Sequence, residues 1–287
     1  MSTELLLREF ERICDSQRAI ARLRKFVYTL AITGKLSRYN ANDAPVADLV
    51  REFRTNKPAR PHLDTRATTM PFATRAHWRI VPLSEVGTLS GGMTPSKSRS
   101  DFWEGEIPWL SPKDIKADEL FGSELKITPA GAEATGLQIY PTGCLFIVAR
   151  SGILKRTLPV GINRVPATAN QDMKVLRPFV PEMDRYLQIM FRGMTDYILA
   201  ELVKTGTTVQ SLKYQEFAEQ PVPIPPLAEQ HRIVAKVDEL MVVCDKLEDA
   251  QKERELHRDA LLDALLQGAL QEMTLPIAAT EDESYAD

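Results

Sequence analysis

Pro223-Ile224-Pro225-Pro226-Leu227-Ala228-Glu229-Gln230-His231-Arg232-Ile233-Val234 is the stretch on which the fold turns, because it announces the abrupt start of a long helix. Proline is tolerated in a first helical turn, where its missing N–H would have no intrahelical acceptor, and Glu229 there faces the positive end of the helix dipole. From Leu227 to Leu270 a seam alternates four and three residues apart: Ile233, Val237, Leu240, Cys244, Leu247, Gln251, Arg254, Arg258, Leu261 and Leu265. That is heptad spacing. Near the other end, Glu4 to Leu36 carries the same alternation at Leu6, Phe10, Ile13, Gln17, Ile20, Arg24, Val27 and Ala31. Gly34 and Gly268 stand where the two patterns stop, the place for a left-handed residue just past a helix end.

Shifting the first pattern by 234 positions lays Leu6 on Leu240, Asp15 on Asp249, Gln17 on Gln251, Arg24 on Arg258, Gly34 on Gly268 and Leu36 on Leu270. The polar interruptions thus recur at matching seam places, as an internal repeat requires. Polar seam residues cost stability but set register, so Gln17, Arg24, Gln251 and Arg258 are expected to specify how the helices pair. Two unrelated amphipathic helices are the plainer alternative. A domain inserted between the helices must begin near the end of one and finish near the start of the other. The two are therefore expected to run antiparallel, as in an αα-hairpin whose turn has been replaced by a domain.

The 287 residues, 44% of them hydrophobic, suffice to bury a core. No apolar run reaches the roughly 20 residues of a membrane span, and the N-terminus has no apolar signal region, so a cytoplasmic protein without a membrane partner is expected. Cys14, Cys144 and Cys244, with His62, His77, His231 and His257, show no metal-ligand spacing, and no metal is expected. The chain divides into a helix over 1–37, a polar proline-bearing connector over 38–77, a mixed domain over 78–226, the long helix over 227–271, and an acidic end over 272–287 that is expected to be disordered. The connector holds one short helical pattern, Val46 to Arg54. Inside 78–226, apolar runs such as Trp78 to Leu83, Cys144 to Ala149 and Met173 to Leu176 alternate with Gly, Pro and Ser punctuation, and one helix is expected from Met183 to Leu202. The expected class is α+β, one globular domain of mixed helix and strand with two long antiparallel coiled-coil helices.

A net charge of −3 conceals segregation along the chain. Thr142 to Arg177 holds Arg150, Lys155, Arg156, Arg164, Lys174 and Arg177 against Asp172 alone, whereas Asp101 to Glu133 holds eight acids and three lysines. One surface could attract phosphate while another repels it, although ordinary solvated charge reads the same way. Ser90-Gly91-Gly92-Met93-Thr94-Pro95-Ser96-Lys97 lacks bulk, so backbone N–H groups and hydroxyls could approach phosphates while Lys97 and Arg99 supply charge; a plain surface turn is the alternative. Lys204-Thr205-Gly206-Thr207-Thr208-Val209-Gln210-Ser211-Leu212-Lys213 is a second stretch of that kind. Arg150, Ser151, Lys155, Arg156, Asn163, Asn170 and Gln171 add side chains able to pair with base edges, Asn170 and Gln171 serving equally well as caps or core-satisfying groups. Catalysis finds little support. There is no cofactor-binding glycine loop with an Asn/Asp-Pro-Pro-aromatic tetrad, no Walker loop and no nucleophile triad. Asp114 with Glu124 and Lys126 is a loose nuclease-like set that chance produces often.

Gly91-Gly92-Met93-Thr94-Pro95-Ser96, Phe102-Trp103, Ile107-Pro108-Trp109-Leu110-Ser111-Pro112-Lys113-Asp114 and Pro223 to Val234, in that order and spacing, resemble a target-recognition domain of type I restriction-modification specificity subunits followed by its conserved helix. Leu23-Arg24-Lys25 through Gly34-Lys35-Leu36 and Asn42-Asp43-Ala44-Pro45 likewise resemble the helix and connector that lie between the two recognition domains of such subunits, so the resemblance covers nearly the whole chain. One such domain is present where family members usually carry two. The resemblance implies a non-catalytic subunit that reads a half-site in double-stranded DNA and docks methyltransferase subunits through its helices, with restriction subunits joining through the complex. S-adenosylmethionine, ATP and magnesium would then belong to partner subunits only. Pairing with a second copy or with a separate half-subunit both stay open. A coiled-coil assembly scaffold without DNA specificity is the rival reading, and a metal-dependent nuclease is a weaker one.

Overall fold

The computed structural model describes residues 17–56, 70–206 and 208–273, which fall into two compact units, Arg24–Leu240 and a second made of Met1–Leu23 with Met241–Asp287. The larger unit holds the mixed domain. Its chain enters and leaves through a two-stranded ribbon, with Arg79–Pro82 antiparallel to Pro221–Ile224 and Pro82 opposite Pro221. Each strand of such a ribbon has a free edge, so Pro82, Pro221 and Pro223 forfeit no obligatory ladder bond.

The main sheet runs in the order Gly87–Gly91, Met173–Pro178, Leu145–Val148, Val160–Asn163 and Glu119–Leu120, antiparallel except for the last pair. Leu145, Phe146, Ile147 and Val148 are all fully buried, as a continuous apolar run at the centre of a sheet should be. The helix Asp184–Glu201, within a residue of its expected bounds at each end, lies against this sheet. It is pinned there by Gln188, whose amide donates to Val160 O at 3.2 Å and Asp118 O at 2.7 Å. Two smaller sheets flank the main one: Lys126–Ile127, Trp103–Leu110 and Thr168–Ala169; and Val203–Lys204, Gln210–Leu212 and Arg150–Ser151.

The first helix, Gln17–Ile32, ends as its glycine foretold. Gly34 takes φ +70°, its N–H bonding Ala31 O and the Lys35 N–H bonding Leu30 O, which closes the orphan carbonyls of the last turn. The expected start of this pattern, at Glu4, lies outside the described residues. The connector helix Val46–Asn56 buries Val46, Leu49 and Phe53. The connector is tied to the beginning of the last helix. Ser37 Oγ donates to Glu229 Oε1 at 2.6 Å, His77 Nε2 lies 2.7 Å from Glu229 Oε2, and Arg232 grips both oxygens of Asp43. Glu229 is buried, so beyond facing the helix dipole its carboxylate bridges the two ends of the connector.

The last helix, Leu227–Met273, is longer than expected and runs straight through Gly268, which therefore ends nothing. In the smaller unit Ile20 and Cys244 are buried together, with Ala19, Leu23 and Leu247 packed against them. Gln251 is buried too and bonds Glu255 one turn on, as a polar seam residue can. Beyond it Arg254, Arg258, Leu261 and Leu265 are not covered by any described residue, and the stretch before Gln17 that was expected to pair with them lies outside the described residues. Arg24 is half-buried, and the Gln17 side chain lies outside the described residues. The acidic end beyond Met273 is likewise outside them. Among the described residues no helix is long and apolar enough to cross a membrane.

Candidate nucleic-acid interface

Four segments of the larger unit converge on one cleft. The first leaves the edge of the main sheet at Gly91. Gly92 is needed for close approach, since a Cβ there would sit 2.0 Å from Ala169 O, and the next N–H, of Met93, bonds that same oxygen at 2.9 Å. Trp109 donates its indole N–H to Met93 O at 2.9 Å and Trp103 donates to Ser96 O at 3.1 Å, the two rings meeting edge to face at 5.2 Å. Two tryptophans thus hold the carbonyls of the loop. Thr94 and Lys97 face the cleft.

The second segment is the turn Ser111–Asp114. Asp114 Oδ2 accepts from Ser111 N–H at 2.8 Å and Ser111 Oγ at 2.7 Å, and Oδ1 accepts from Glu124 N–H at 2.9 Å. A carboxylate so filled is a turn cap rather than an open metal ligand, and among the described residues no group of three acidic, His or Cys side chains could hold a metal ion. Within the Asp114, Glu124 and Lys126 set, Asp114 is thus engaged by its own turn. What the turn does is present Lys113 to the cleft.

Arg150–Ser151 forms the third segment, and the hairpin Val203–Leu212 the fourth. Ser211 pairs opposite Arg150 and Gln210 opposite Ser151, so the second small-residue stretch is folded against the first basic one. The turn Asn170-Gln171-Asp172 completes the floor between them. Together these segments line a cavity of about 620 Å³ with Thr94, Lys97, Trp109, Ser111, Pro112, Lys113, Asp114, Glu124, Leu125, Arg150, Ser151, Gly152, Asn170, Gln171, Asp172 and Val209. An adjoining hollow of about 480 Å³ shares Lys97, Glu124 and Leu125 and continues to Trp103, Glu104, Gly105 and Lys126. Lys97, Lys113 and Arg150 make no ion pair among the described residues, so their charges are available to a ligand.

Of the residues singled out from the sequence, Thr94, Lys97, Arg150, Ser151, Asn170 and Gln171 share this cleft. Ser90, Gly91 and Gly92 are its frame: Ser90 Oγ and the Tyr140 hydroxyl lie 2.8 Å apart, and that hydroxyl donates to Gly91 O. Arg99 is engaged by Asp101 at 2.7–2.8 Å and lies over the Phe102 ring, outside the lining. Lys155 and Arg156 are exposed on the turn after Ser151 but do not line the cleft. Lys204, Thr205 and Gly206 lie in the hairpin, while Thr207 is outside the described residues. Gln210 is buried and bonds Gly206 O at 3.1 Å, and the Lys213 ammonium is held by Glu201 O and Glu216.

Asn163 is corrected outright. It is fully buried, and its amide is consumed by Cys144 N–H, Pro141 O and Val165 O, so it holds the sheet together and cannot reach a base. The charge count along 142–177 also shrinks. Burial works against the Arg164 guanidinium, but the hydrogen bonds it donates to Glu119 and Asp184 more than offset it and its pKa is raised, leaving the group neutralised in place. Lys174 sits over the Tyr214 ring, its pKa lowered by burial. The Cys144 thiol is pushed up to about 11 by burial, as expected of an inert core cysteine. Sequence reasoning missed Lys113, Leu125 and Asp172 as cleft residues. Lys113 stood inside a quoted motif, and Asp172 followed two named residues, but only the fold shows that they face one space.

Comparison with known proteins places this geometry in a family. Residues 76–258 match the family described as the type I restriction modification DNA specificity domain. The chain is 35% identical over 188 residues to the type I restriction enzyme EcoR124I/EcoR124II specificity subunit of Escherichia coli, covering 62% of this chain and 46% of that one. It is 28% identical over 182 residues to the MjaIX specificity subunit of Methanocaldococcus jannaschii, covering 62% and 40%. The chain thus spans about half the length of the curated relatives it matches. Among solved structures, a chain from work on complex assembly and conformational transition of the type I R-M system matches with TM-score 0.56, over 93% of this chain and 56% of that chain. The HsdS subunit from Thermoanaerobacter tengcongensis matches over the same shares with TM-score 0.50. Both are 18% identical, a likeness of fold.

Proposed function

Since this chain belongs to the type I restriction modification DNA specificity family, we propose that it selects the target of a modification and restriction complex by reading one half of a split site in duplex DNA. The observation that carries this reading is the convergence of two small-residue loops and three cations, unpaired among the described residues, on one cleft. Cations without internal partners release counterions from phosphate, and flexible, bulk-free loops let backbone come close to the strand. The chain itself performs no catalysis in this reading. Methyl transfer and cleavage, with the S-adenosylmethionine, ATP and magnesium they use, belong to partner subunits, which dock on the terminal helices.

A scaffold without DNA specificity would not need a cleft furnished in this way. The test is to express the chain with the methyltransferase subunit that copurifies with it, measure binding to duplex DNA across a salt series, and map methylated sites in the host genome. Affinity should fall linearly on a log-log salt plot, by about 0.9 per phosphate contacted, and methylation should mark one sequence. A symmetric site assigns both halves to copies of this chain, whereas an asymmetric one assigns the second half to another subunit. Binding that is indifferent to salt and sequence would refute the reading.

A further inference from the structure

The turn Asn170-Gln171-Asp172 is held rigid by its backbone while three side chains face the cleft. Asn170 N–H bonds Leu110 O at 2.9 Å, Met173 N–H bonds Asn170 O at 3.2 Å, and Asp172 O accepts from both Ala149 N–H and Arg150 N–H at 2.8 and 3.0 Å. Two of the three side-chain carbonyls are already occupied. Asn170 Oδ1 accepts from the Asp172 N–H at 3.0 Å, and Gln171 Oε1 accepts from the Thr94 hydroxyl. What remains for a ligand is an amide donor on each of Asn170 and Gln171 and, on Asp172, a half-buried carboxylate that has no partner among the described residues.

A lone carboxylate is out of place in a cleft that meets phosphate, because it repels the backbone and, left unpaired as DNA covers it, costs binding energy. It suits a ligand atom that donates. In the major groove only the exocyclic amino groups, N6 of adenine and N4 of cytosine, are donors; guanine O6 and N7 and thymine O4 are acceptors. We propose that Asp172 is a specificity-determining residue that accepts from an adenine or cytosine amino group, while the Asn170 and Gln171 amides donate to neighbouring acceptors on the same or the next base pair. Thymine or guanine at that place would set acceptor against acceptor. Arg150, whose N–H bonds Asp172 O and whose guanidinium makes no ion pair among the described residues, supplies charge that offsets the carboxylate as the strand approaches.

This inference rests on the DNA-reading function proposed above, and the experiment separates the two. The full chain, in the assembly that copurifies with it, is used to select bound sequences from a duplex pool with a randomised core, alongside Asp172→Ala, Asp172→Asn and Lys113→Ala. Because the Asp172 carboxylate makes no hydrogen bond or ion pair among the described residues, both Asp172 variants should unfold close to the temperature of the parent. The parent should demand A or C at one position. Asp172→Ala should lose about tenfold of that discrimination while the other positions and the salt slope stay as they were. Lys113→Ala should weaken all sequences alike and flatten the salt slope. An Asp172→Ala profile identical to the parent's overturns the proposal, and so does uniform tightening or weakening across every sequence, which would make the carboxylate a general electrostatic group. A parent that selects nothing overturns the recognition function itself.

Discussion

Asn163 and Gly92 are quiet residues on which the cleft depends. The Asn163 side chain accepts from Cys144 N–H at 2.8 Å and donates to Pro141 O and Val165 O at 2.8 and 2.9 Å, all inside the protein. Asn163→Ala strands those buried groups together, and urea titration should show a loss of about 3 kcal/mol. Base preference at a temperature where the variant stays folded should not move, since the residue touches no ligand. Gly92→Ala acts differently. Its methyl would have to enter a space closed by the backbone oxygens of Ala169 and Asn170 at 2.0 and 2.4 Å, and neither can yield without shifting the Asn170–Asp172 turn. Sequence-specific binding should therefore fall by at least tenfold in the same titration that leaves far-ultraviolet dichroism unchanged. An alanine variant that binds as the parent does would show that the loop is not held as described.

Among the elements, the connector shows how the last helix is anchored. Arg232 in its second turn hydrogen-bonds both oxygens of Asp43 and so holds that carboxyl below the usual range, with burial pulling the other way. A depressed carboxyl stabilises the fold at pH values above its unfolded value and loses that contribution as the pH falls through the lower, folded one. Asp43→Asn should accordingly lower the urea midpoint at pH 7, and the gap from the parent should close as the pH drops below the ordinary carboxylate range; a gap that persists in acid would deny the ion pair any role. These elements also mark what the sequence made legible. Periodicity exposes helices, so Asp184–Glu201 and the start of the last helix at Leu227 were readable, and Gly34 signalled an end because a Schellman turn needs its φ. Gly268 carried the same signal falsely: nothing packs where its Cβ would be, and one exposed glycine costs a long helix only about 1 kcal/mol. The cleft was half legible. Lys97, Arg150, Asn170 and Gln171 declare their chemistry by type, but Asp172 and Lys113 matter through which strands pair, and Asn163 looked like a reader only because burial is invisible in one dimension.

For the molecule as a whole, the seam along the last helix changes character part of the way along. Cys244 and Gln251 are buried, yet Leu261, Leu262, Leu265 and Leu266 are 54–64% exposed and, one turn apart in pairs, form a continuous apolar strip. Each leucine buried against a partner contributes about 1.5–3 kcal/mol, so four that no described residue covers contribute little as they stand and much in an assembly. If partner subunits dock there, folding and docking are separable. Leu262→Glu combined with Leu266→Glu should keep the urea stability within about 0.5 kcal/mol of the parent, and should keep the binding preference of the cleft, while the methyltransferase subunit no longer copurifies. Cys244→Asp makes the opposite cut, placing a charge in the packed cluster of Ile20, Leu23 and Leu247 and lowering stability by several kcal/mol before docking is at issue. Retention of the methyltransferase subunit by the double glutamate variant would move the docking surface elsewhere on the chain and leave the strip without a role in assembly.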